Sequence, residues 1–335
     1  MRVFRHFSPV PDEARGAVVA IGNFDGIHRG HQAVIAKAGR LARELGAPHA
    51  VLTFEPHPRS YFAPGTPPFR LTPFRIKARL IEALGVDSLF VLRFDRDLAQ
   101  LSAEDFVIDI LVKGLAVRHV VVGDNFHFGH KRGGDAALLE RLGRGNGFGV
   151  TCLTRVTGSG EEPYSSTYVR DYLTAGNPTR AALLLGRYWE IEGRVQHGDK
   201  RGRALGFPTA NVPLGNILRP AFGVYAVRAG IDRGAGTVWR GGAANIGIRP
   251  MFESERPLLE VHIFDFEREI YGRHMRVALV DYLRPELAFD SLDALKTQMA
   301  EDCRRARASL AYEDWDPSWP ASPFMAATMG PEGWS

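Results

Sequence analysis

The apolar residues of this chain recur with one period before about residue 187 and with another after it. In the first part, short runs rich in Val and Ile, such as Ala17–Gly22, alternate with segments of helical periodicity, as from His31 onward. Repeated strand–helix units predict a parallel, doubly wound sheet with its ligand site at the carboxyl ends of the strands. Further strands are predicted at Ala50–Phe54, Ser88–Leu92 and Val117–Gly123, and further helices at Leu71–Leu84 and between the N-cap Ser102 and Gly114.

After residue 187 the apolar runs are short and mostly alternating, and segments rich in Gly and Pro separate them. This pattern predicts an antiparallel barrel or sandwich. The runs are Trp189–Val195, Val224–Arg228, Leu258–Phe264 and Met275–Tyr282. One more helix is predicted from the apolar stripe Leu292, Leu295, Met299, Cys303, Ala306 and Leu310.

The two patterns predict an α/β protein with two domains, and 335 residues are enough for two cores. A Rossmann-like domain with a parallel sheet is expected over residues 1–186, and an antiparallel β-barrel domain with a terminal helix over residues 187–312. Residues 313–335 contain four prolines and no periodicity, which predicts a disordered or lightly docked tail.

Composition excludes several classes of protein. No stretch approaches the roughly 18 apolar residues of a membrane span, and residues 1–11 lack the apolar core of a signal peptide, so we expect a cytoplasmic protein that does not bind membranes. Cys152 and Cys303 are too isolated for a disulfide framework or a thiolate metal site. The net charge of +4 fits phosphorylated small molecules as well as nucleic acid, but no nucleic-acid-binding signature accompanies it.

The first candidate site is the segment Gly22–His31, which follows the first predicted strand and opens the first predicted helix. Its glycines allow a ligand to approach the backbone closely, and the helix N-terminus offers N–H groups to an anion. His28 and His31 lie three residues apart, and as donors they would stabilise the negative charge of a phosphorus transition state. The segment therefore predicts a phosphate-binding loop.

These histidines also allow two other interpretations. A lone histidine at this place is more simply a helix cap. A zinc site is suggested by His127 and His130, which repeat the same spacing, but no carboxylate or cysteine lies at a convincing ligand position nearby. Because a glycine-rich loop is better suited to binding an anion than to binding zinc, the phosphate interpretation is favoured.

The second candidate site is a glycine-rich basic loop that runs from Gly193 to Asn211. The chain has no GxxxxGK[ST] segment, so any kinase activity uses another phosphate-binding design. The side-chain oxygens of Thr209 and Asn211 are suitable ligands for a hard cation such as Mg²⁺, which would also hold ATP oxygens.

The predicted strand Leu258–Phe264 carries a carboxylate. Glu260 and His262 project from one face of this strand, and the other face is apolar. A carboxylate in this position is commonly a solvated outer residue. It is also a candidate for the base that a kinase needs to take the proton from the substrate hydroxyl. The apolar face comprises Leu259, Val261 and Ile263.

The motifs resemble those of a known family. The chain contains GNFDGIHRGH, FEPHP, VGDNFHFG and SSTYVR in this order, and later GFPTAN and LLEVH. HxGH is similar to the nucleotidyltransferase superfamily, and the whole set resembles the bacterial bifunctional riboflavin kinase/FMN adenylyltransferases, or FAD synthetases. The resemblance spans about residues 12–312.

For the first half, the resemblance implies an adenylyltransferase that joins FMN to ATP and releases FAD and pyrophosphate. His28 and His31 would stabilise the transition state, and no protein base is needed because the FMN phosphate is already ionised. From the residues alone, Ser165–Thr167 is also a good N-cap. The implied ATP-binding and phosphate-binding residues are Gly22, Phe24, Asp25, Gly26, Asn125, Ser166, Thr167 and Arg170.

For the second half, the resemblance implies a riboflavin kinase that produces FMN and ADP from riboflavin and ATP. Glu260 would be the catalytic base, and Thr209 and Asn211 would hold Mg²⁺. We expect a monomer or weak oligomer that binds flavins and adenine nucleotides and no nucleic acid. The implied ATP-binding and phosphate-binding residues are Gly198, Gly202, Arg203, Gly206 and Pro208.

The chain departs from the family pattern at a few positions. Pro163 stands where the family usually has Arg, two residues before the first serine of SSTYVR, and Ile248 and Met251 stand where it typically has Thr. The missing phosphate contact at Pro163 keeps open a monofunctional riboflavin kinase with an impaired first domain. A third hypothesis is a basic protein that binds nucleotide or nucleic acid without chemistry, although such a protein would not require Glu260 beside two metal ligands.

Overall fold

The computed structural model describes residues 1–154, 162–198, 206–232, 236–248 and 257–311. The chain forms two compact units, the first made of Met1–Pro67 and Thr72–Ser165, and the second of Pro68–Leu71 and the chain from Ser166 onward. Each unit contains its own sheet. No helix in these ranges is long and apolar enough to cross a membrane. The predicted tail, residues 313–335, lies outside the described residues.

The first unit is built on a six-stranded parallel sheet in the order β1-β4-β3-β2-β5-β6. All residues of the central strand β2 are buried, and Val and Ile predominate in it, as is typical of a parallel strand covered on both faces by helices. The strands are β1 (Arg2–Phe4), β2 (Val18–Ile21), β3 (His49–Glu55), β4 (Ser88–Arg93), β5 (His119–Gly123) and β6 (Gly149–Leu153).

The predicted cap of the helix at Ser102 is confirmed, since the Asp105 N–H donates to Ser102 Oγ at 3.0 Å. The helix predicted at Leu71–Leu84 begins only at Phe74, because Pro73 disfavours a helical conformation in the residue before it. The helices of this unit are α1 (Arg29–Glu44), α2 (Pro58–Phe62), α3 (Phe74–Ala83), α4 (Arg96–Gln100), α5 (Ala103–Asp105, continued as a π-helix over Phe106–Gly114) and α6 (Ala136–Asn146).

The strand order of the first unit reverses at β2, which pairs with β3 on one side and with β5 on the other. In a doubly wound sheet, the ligand crevice lies outside the carboxyl ends of the strands at this point. The segment Gly22–His31 begins at the carboxyl end of β2, and Asn125 follows the carboxyl end of β5. The topology therefore brings two of the predicted site segments to neighbouring strand ends.

The second unit is built on a six-stranded antiparallel sheet in the order β7-β12-β9-β10-β11-β8. A bridge between Gln196 and Asn211 connects the segment after β7 to β8, so the two edges approach each other and the sheet curls into a half-barrel. The predicted fold class is confirmed. The strands are β7 (Trp189–Arg194), β8 (Ala210–Pro213), β9 (Gly223–Asp232), β10 (Thr237–Ile248), β11 (Pro257–Ile263) and β12 (His274–Arg284), and the helices are α7 (Ser166–Thr174), α8 (Pro178–Leu185) and α9 (Leu292–Ala311).

Helix α9 packs on the sheet with its C-terminal half. The helix predicted from the apolar stripe is confirmed: Ala306 and Leu310 of that stripe are buried, and Leu292, at the N-terminal end, is 69% exposed. The buried Asp302 pairs with Arg284, at 2.6 Å between Oδ2 and Nη2. Hydrophobic periodicity cannot indicate such a contact, because charged residues give the same sequence pattern in a buried ion pair as on a solvent-exposed face.

Strand β10 was not predicted from the sequence. It contains Gly241, Gly242 and Gly247, and glycines weaken a strand. In the structure, these glycines lie where neighbouring groups come close to the strand. A Cβ on Gly242 would lie 2.7 Å from the carbonyl oxygen of His262 on β11, and a Cβ on Gly247 would collide with the Glu286 carboxylate.

Candidate active sites

The loop between β2 and α1 is buried from Phe24 to His28 and has a strained backbone. Phe24 and Ile27 have φ angles of 48° and 45°, and their side chains are fully buried. A non-glycine residue in this region costs about 1–3 kcal/mol, so surrounding contacts must hold it in place. Gly26 lies between them at a φ of 91°, a conformation that glycine adopts without this cost.

His28 is the N-cap of α1. Its Nδ1 accepts the N–H of His31 at 3.3 Å, and the two imidazole rings stack with centroids 3.6 Å apart. Because Nδ1 accepts, a neutral His28 ring carries its hydrogen on Nε2, which is then the donor. A Cβ on Gly30 would lie 3.2 Å from this ring. The cap interpretation is thus confirmed, and the cap sets the ring orientation and the donor nitrogen that the phosphate interpretation needs.

Thr72 holds the middle of this loop. Its N–H and its hydroxyl both donate to Asp25 Oδ1, at 2.9 and 3.2 Å, and its Oγ1 accepts the N–H of Gly26 at 2.8 Å. Asp25, which was expected at the ATP phosphates, is thereby buried inside the loop. Sequence analysis did not identify Thr72, because nothing in the string LTPF indicates a partner 47 residues earlier.

Lys77 holds the start of the same loop. This lysine on α3 is fully buried, and its Nζ donates to the Asn23 carbonyl at 2.9 Å and to Glu55 Oε1 at 3.0 Å. Thr53 Oγ1 donates to the same carbonyl at 3.2 Å. A buried ammonium group needs a charge partner and hydrogen-bond acceptors, and these residues supply both.

The remaining residues that were predicted to bind the adenylyl donor are divided between the two units. Asn125 is exposed at the carboxyl end of β5 in the first unit. Ser166, Thr167 and Arg170 lie on α7 in the second unit. Arg170 Nε donates to the Phe69 carbonyl at 2.8 Å, which leaves the guanidinium over the Phe69 ring. Their phosphate-binding roles stay predictions.

A cluster of aromatic side chains lies at the carboxyl ends of β3 and β4. Tyr61 and Phe62 on α2 and Phe94, directly after β4, have ring centroids 5.2, 5.5 and 5.6 Å apart. Phe62 is 66% exposed. Exposed aromatic rings in one cluster offer a surface for a flat apolar group. Sequence analysis missed this cluster, because Phe94 follows a different strand from α2.

In the second unit, the strand register brings three polar residues into one row. Asn211 on β8 pairs with Glu260 on β11, and Glu260 pairs with Asn245 on β10. Because paired residues project from the same face of a sheet, Glu260 lies between two asparagine side chains. The predicted apolar face of β11 is confirmed: Leu259, Val261 and Ile263 are buried, and Glu260 is partly exposed.

Asn211 fits the metal-ligand role predicted for it. Its side chain is buried, and its Oδ1 has no hydrogen-bond partner in the part of the chain that the structure describes. A buried carbonyl oxygen of this kind is a suitable ligand for a hard cation. Gly198 lies against this side chain, where any Cβ would collide with the amide. Thr209, two residues earlier, is partly buried.

His262 fixes the turn that precedes Asn211. Its ring lies on the same face of β11 as Glu260, and its Nδ1 donates to the Pro208 carbonyl at 3.0 Å. Gly206 has a φ of 89°, which favours glycine there. The predicted phosphate-binding residues Gly202 and Arg203 lie outside the described residues.

Neither cysteine has the chemistry of a nucleophile. Burial raises the pKa of the Cys152 thiol, and burial raises the pKa of the Cys303 thiol to about 11. Both therefore stay protonated at neutral pH, and a protonated thiol is a poor nucleophile. His127 and His130, considered for zinc, instead bond to Asn125 O and Ala99 O, at 3.0 and 3.1 Å.

Comparison with known proteins identifies both units. The family model described as FAD synthetase matches residues 10–168, and that described as riboflavin kinase matches residues 185–310. The chain is 44% identical over 307 residues to the bifunctional riboflavin kinase/FMN adenylyltransferase of Escherichia coli (strain K12), which covers 92% of this chain and 96% of the relative. The chain belongs to this family.

A second relative agrees with this assignment, and one solved structure shares the fold of the whole chain. The bifunctional riboflavin kinase/FMN adenylyltransferase of Pseudomonas fluorescens is 45% identical over 312 residues, covering 93% of this chain and 98% of the relative. A crystal structure of a macrolide-efflux protein from Streptococcus pneumoniae has a TM-score of 0.81 at 30% identity, over 94% of this chain and 99% of that chain. The resemblance inferred from the motifs is confirmed, whereas the domain boundaries, the cytoplasmic location and the oligomeric state stay predictions.

Proposed function

We propose that this chain phosphorylates riboflavin to FMN and adenylylates FMN to FAD, with ATP as the donor in both reactions. One observation carries the proposal. This chain belongs to the family and has the arrangement that each reaction needs. Its first unit has an oriented histidine pair at the start of α1, and its second unit has Glu260 aligned between Asn211 and Asn245. Each arrangement suits one of the two reactions.

In the first unit, the FMN phosphate attacks the α-phosphorus of ATP and pyrophosphate leaves. The nucleophile is already ionised, so the protein needs only to orient the reactants and to stabilise charge. His28 and His31 donate to the phosphate oxygens, and the N-terminal N–H groups of α1 favour the same negative charge. The flavin ring, which is flat and apolar, stacks on the cluster of Tyr61, Phe62 and Phe94.

In the second unit, Glu260 takes the proton from the terminal ribityl hydroxyl of riboflavin while that oxygen attacks the γ-phosphorus of ATP and ADP leaves. Thr209 and Asn211 would hold Mg²⁺, which neutralises charge on the ATP phosphates when bound. The buried Asn211 oxygen supports this assignment. His262 keeps the segment that carries Thr209 beside β11 through its bond to Pro208.

Incubation of the purified protein with riboflavin, ATP and Mg²⁺ tests both reactions together. Chromatography over time is expected to show FMN that appears first and is then converted to FAD. Accumulation of FMN without FAD would support the monofunctional kinase suggested by Pro163. The absence of any product would contradict the proposed function as a whole.

Replacement of Phe62 tests the flavin surface. Phe62→Ala is expected to raise KM for FMN in FAD formation about 2- to 10-fold, since an aromatic stack contributes about 0.5–1.5 kcal/mol. Riboflavin phosphorylation by the same molecule should not change. Leu45→Ala is the matched control, because Leu45 is also exposed and follows the C-terminal end of α1. An unchanged KM for FMN in Phe62→Ala would contradict the assignment.

A further inference from the structure

The loop between β2 and α1 depends on contacts from outside itself. Phe24 and Ile27 hold left-handed backbone conformations that persist only where surrounding contacts determine them. Thr72 and Lys77, which supply such contacts, come from one short segment at the start of α3. We propose that Thr72 and Lys77 are positioning residues for adenylyl transfer, which hold this loop so that His28 keeps its productive orientation. The inference rests on the proposed function of the first unit.

The Thr72 hydroxyl fills both of its hydrogen-bonding roles within the loop. It donates to Asp25 Oδ1 at 3.2 Å and accepts from the Gly26 N–H at 2.8 Å. These bonds fix two consecutive residues between the left-handed Phe24 and Ile27. A serine hydroxyl can make the same bonds, whereas a valine of the same shape can make neither.

The Lys77 ammonium group fixes the loop two residues before Asp25, at Asn23. Its three N–H donors match three acceptors: the Asn23 carbonyl at 2.9 Å, Glu55 Oε1 at 3.0 Å and Thr53 Oγ1 at 3.4 Å. Asn23 directly precedes the left-handed Phe24. Lys77 therefore holds the loop at its start, and Thr72 holds it at its middle.

Burial excludes a direct role for these side chains. Lys77 is fully buried and Thr72 is 1% exposed, so neither can contact a substrate. They act on the reaction through the loop backbone, which leads into His28 at the N-cap of α1. A displacement of about 1 Å at a reacting group can lower a rate about 10²-fold. Loss of the contacts from Thr72 and Lys77 should therefore affect the turnover of FAD formation more than the binding of FMN.

Thr72→Val and Thr72→Ser test the proposal by steady-state kinetics on the full chain. In Thr72→Val, kcat for FAD formation from FMN is expected to fall about 10- to 100-fold, while KM for FMN changes about 2-fold or less. Thr72→Ser should stay close to wild type. Riboflavin phosphorylation should be unchanged, and thermal unfolding of each variant reports whether the first unit, which contains Thr72, is folded. An equal loss of both activities, or an unchanged kcat for FAD formation, would overturn the proposal.

Hydrogen exchange of residues 22–31 provides a readout that does not depend on activity. Exchange is expected to be about tenfold faster in Thr72→Val than in wild type and in Thr72→Ser, with no change in β5 of the same unit. Unchanged exchange would overturn the proposal, whereas faster exchange in a protein whose wild type makes no FAD would overturn the proposed function alone. Lys77→Met combined with Glu55→Gln removes the buried charges together and repeats the test if Thr72→Val does not fold.

Discussion

Glu260→Gln is expected to lower the rate of FMN formation about 10²- to 10⁴-fold and to leave the conversion of added FMN to FAD unchanged. Glutamine keeps the size of the side chain and its place between Asn211 and Asn245, but it cannot accept a proton. Initial rates of both reactions, followed by chromatography of the same preparation, provide the measurement. The second reaction reports the folding of the first unit, and thermal unfolding of the variant compared with wild type reports the folding of the second.

Glu267→Gln is the matched control for this prediction. It removes one carboxylate from the same unit at an exposed position after β11. Both activities should stay at wild-type values in this variant. Full FMN formation in Glu260→Gln would favour the alternative in which Glu260 is a solvated outer residue, and another base would then be required.

His28→Asn is expected to lower the rate of FAD formation about 10²- to 10³-fold and to leave FMN formation intact. Asparagine is a good N-cap, so this variant can still accept the His31 N–H that His28 Nδ1 accepts at 3.3 Å. It lacks the ring Nε2 donor. The variant therefore separates the structural role of the cap from the chemical role of the donor, and single-turnover formation of FAD measures the second.

Two further variants complete this test. His28→Ala removes the cap as well, which costs about 1 kcal/mol of helix stability, and should be less stable than His28→Asn by thermal unfolding. His6→Asn changes an exposed histidine in the same unit and should have no effect on either activity. Wild-type FAD formation in His28→Asn would mean that His28 serves only as a cap. Loss of both activities in a folded variant would contradict two independent sites.

The candidate sites were predicted from the sequence mainly through local strings. A helix N-cap and a glycine loop are formed by neighbours in the chain, so GNFDGIHRGH indicates most of the arrangement around His28. The alternation of β11 likewise indicated that Glu260 and Leu259 lie on opposite faces. The strand register then added Asn245 beside Glu260, a neighbour that the local strings did not indicate.

Other elements were beyond the sequence for a common reason. The exposed aromatic surface at Phe62 and Phe94 combines two strand ends, and the ion pair of Arg284 and Asp302 joins a strand to a helix. Such contacts depend on which elements become neighbours. Hydrophobic periodicity reports which face of an element is buried and does not report its partner.

The sequence by itself determined the two classes of sheet, the order of the phosphate-binding and kinase motifs, and the family to which the chain belongs. These features follow from residue periodicity and from short strings, which act over a few residues. Only the tertiary structure decided that Asp25 is buried in its own loop, that Thr72 and Lys77 hold that loop, and that Asn211 and Asn245 flank Glu260. The physical reason is that hydrogen bonds and strand register over tens of residues are set by packing, and local sequence does not encode their partners.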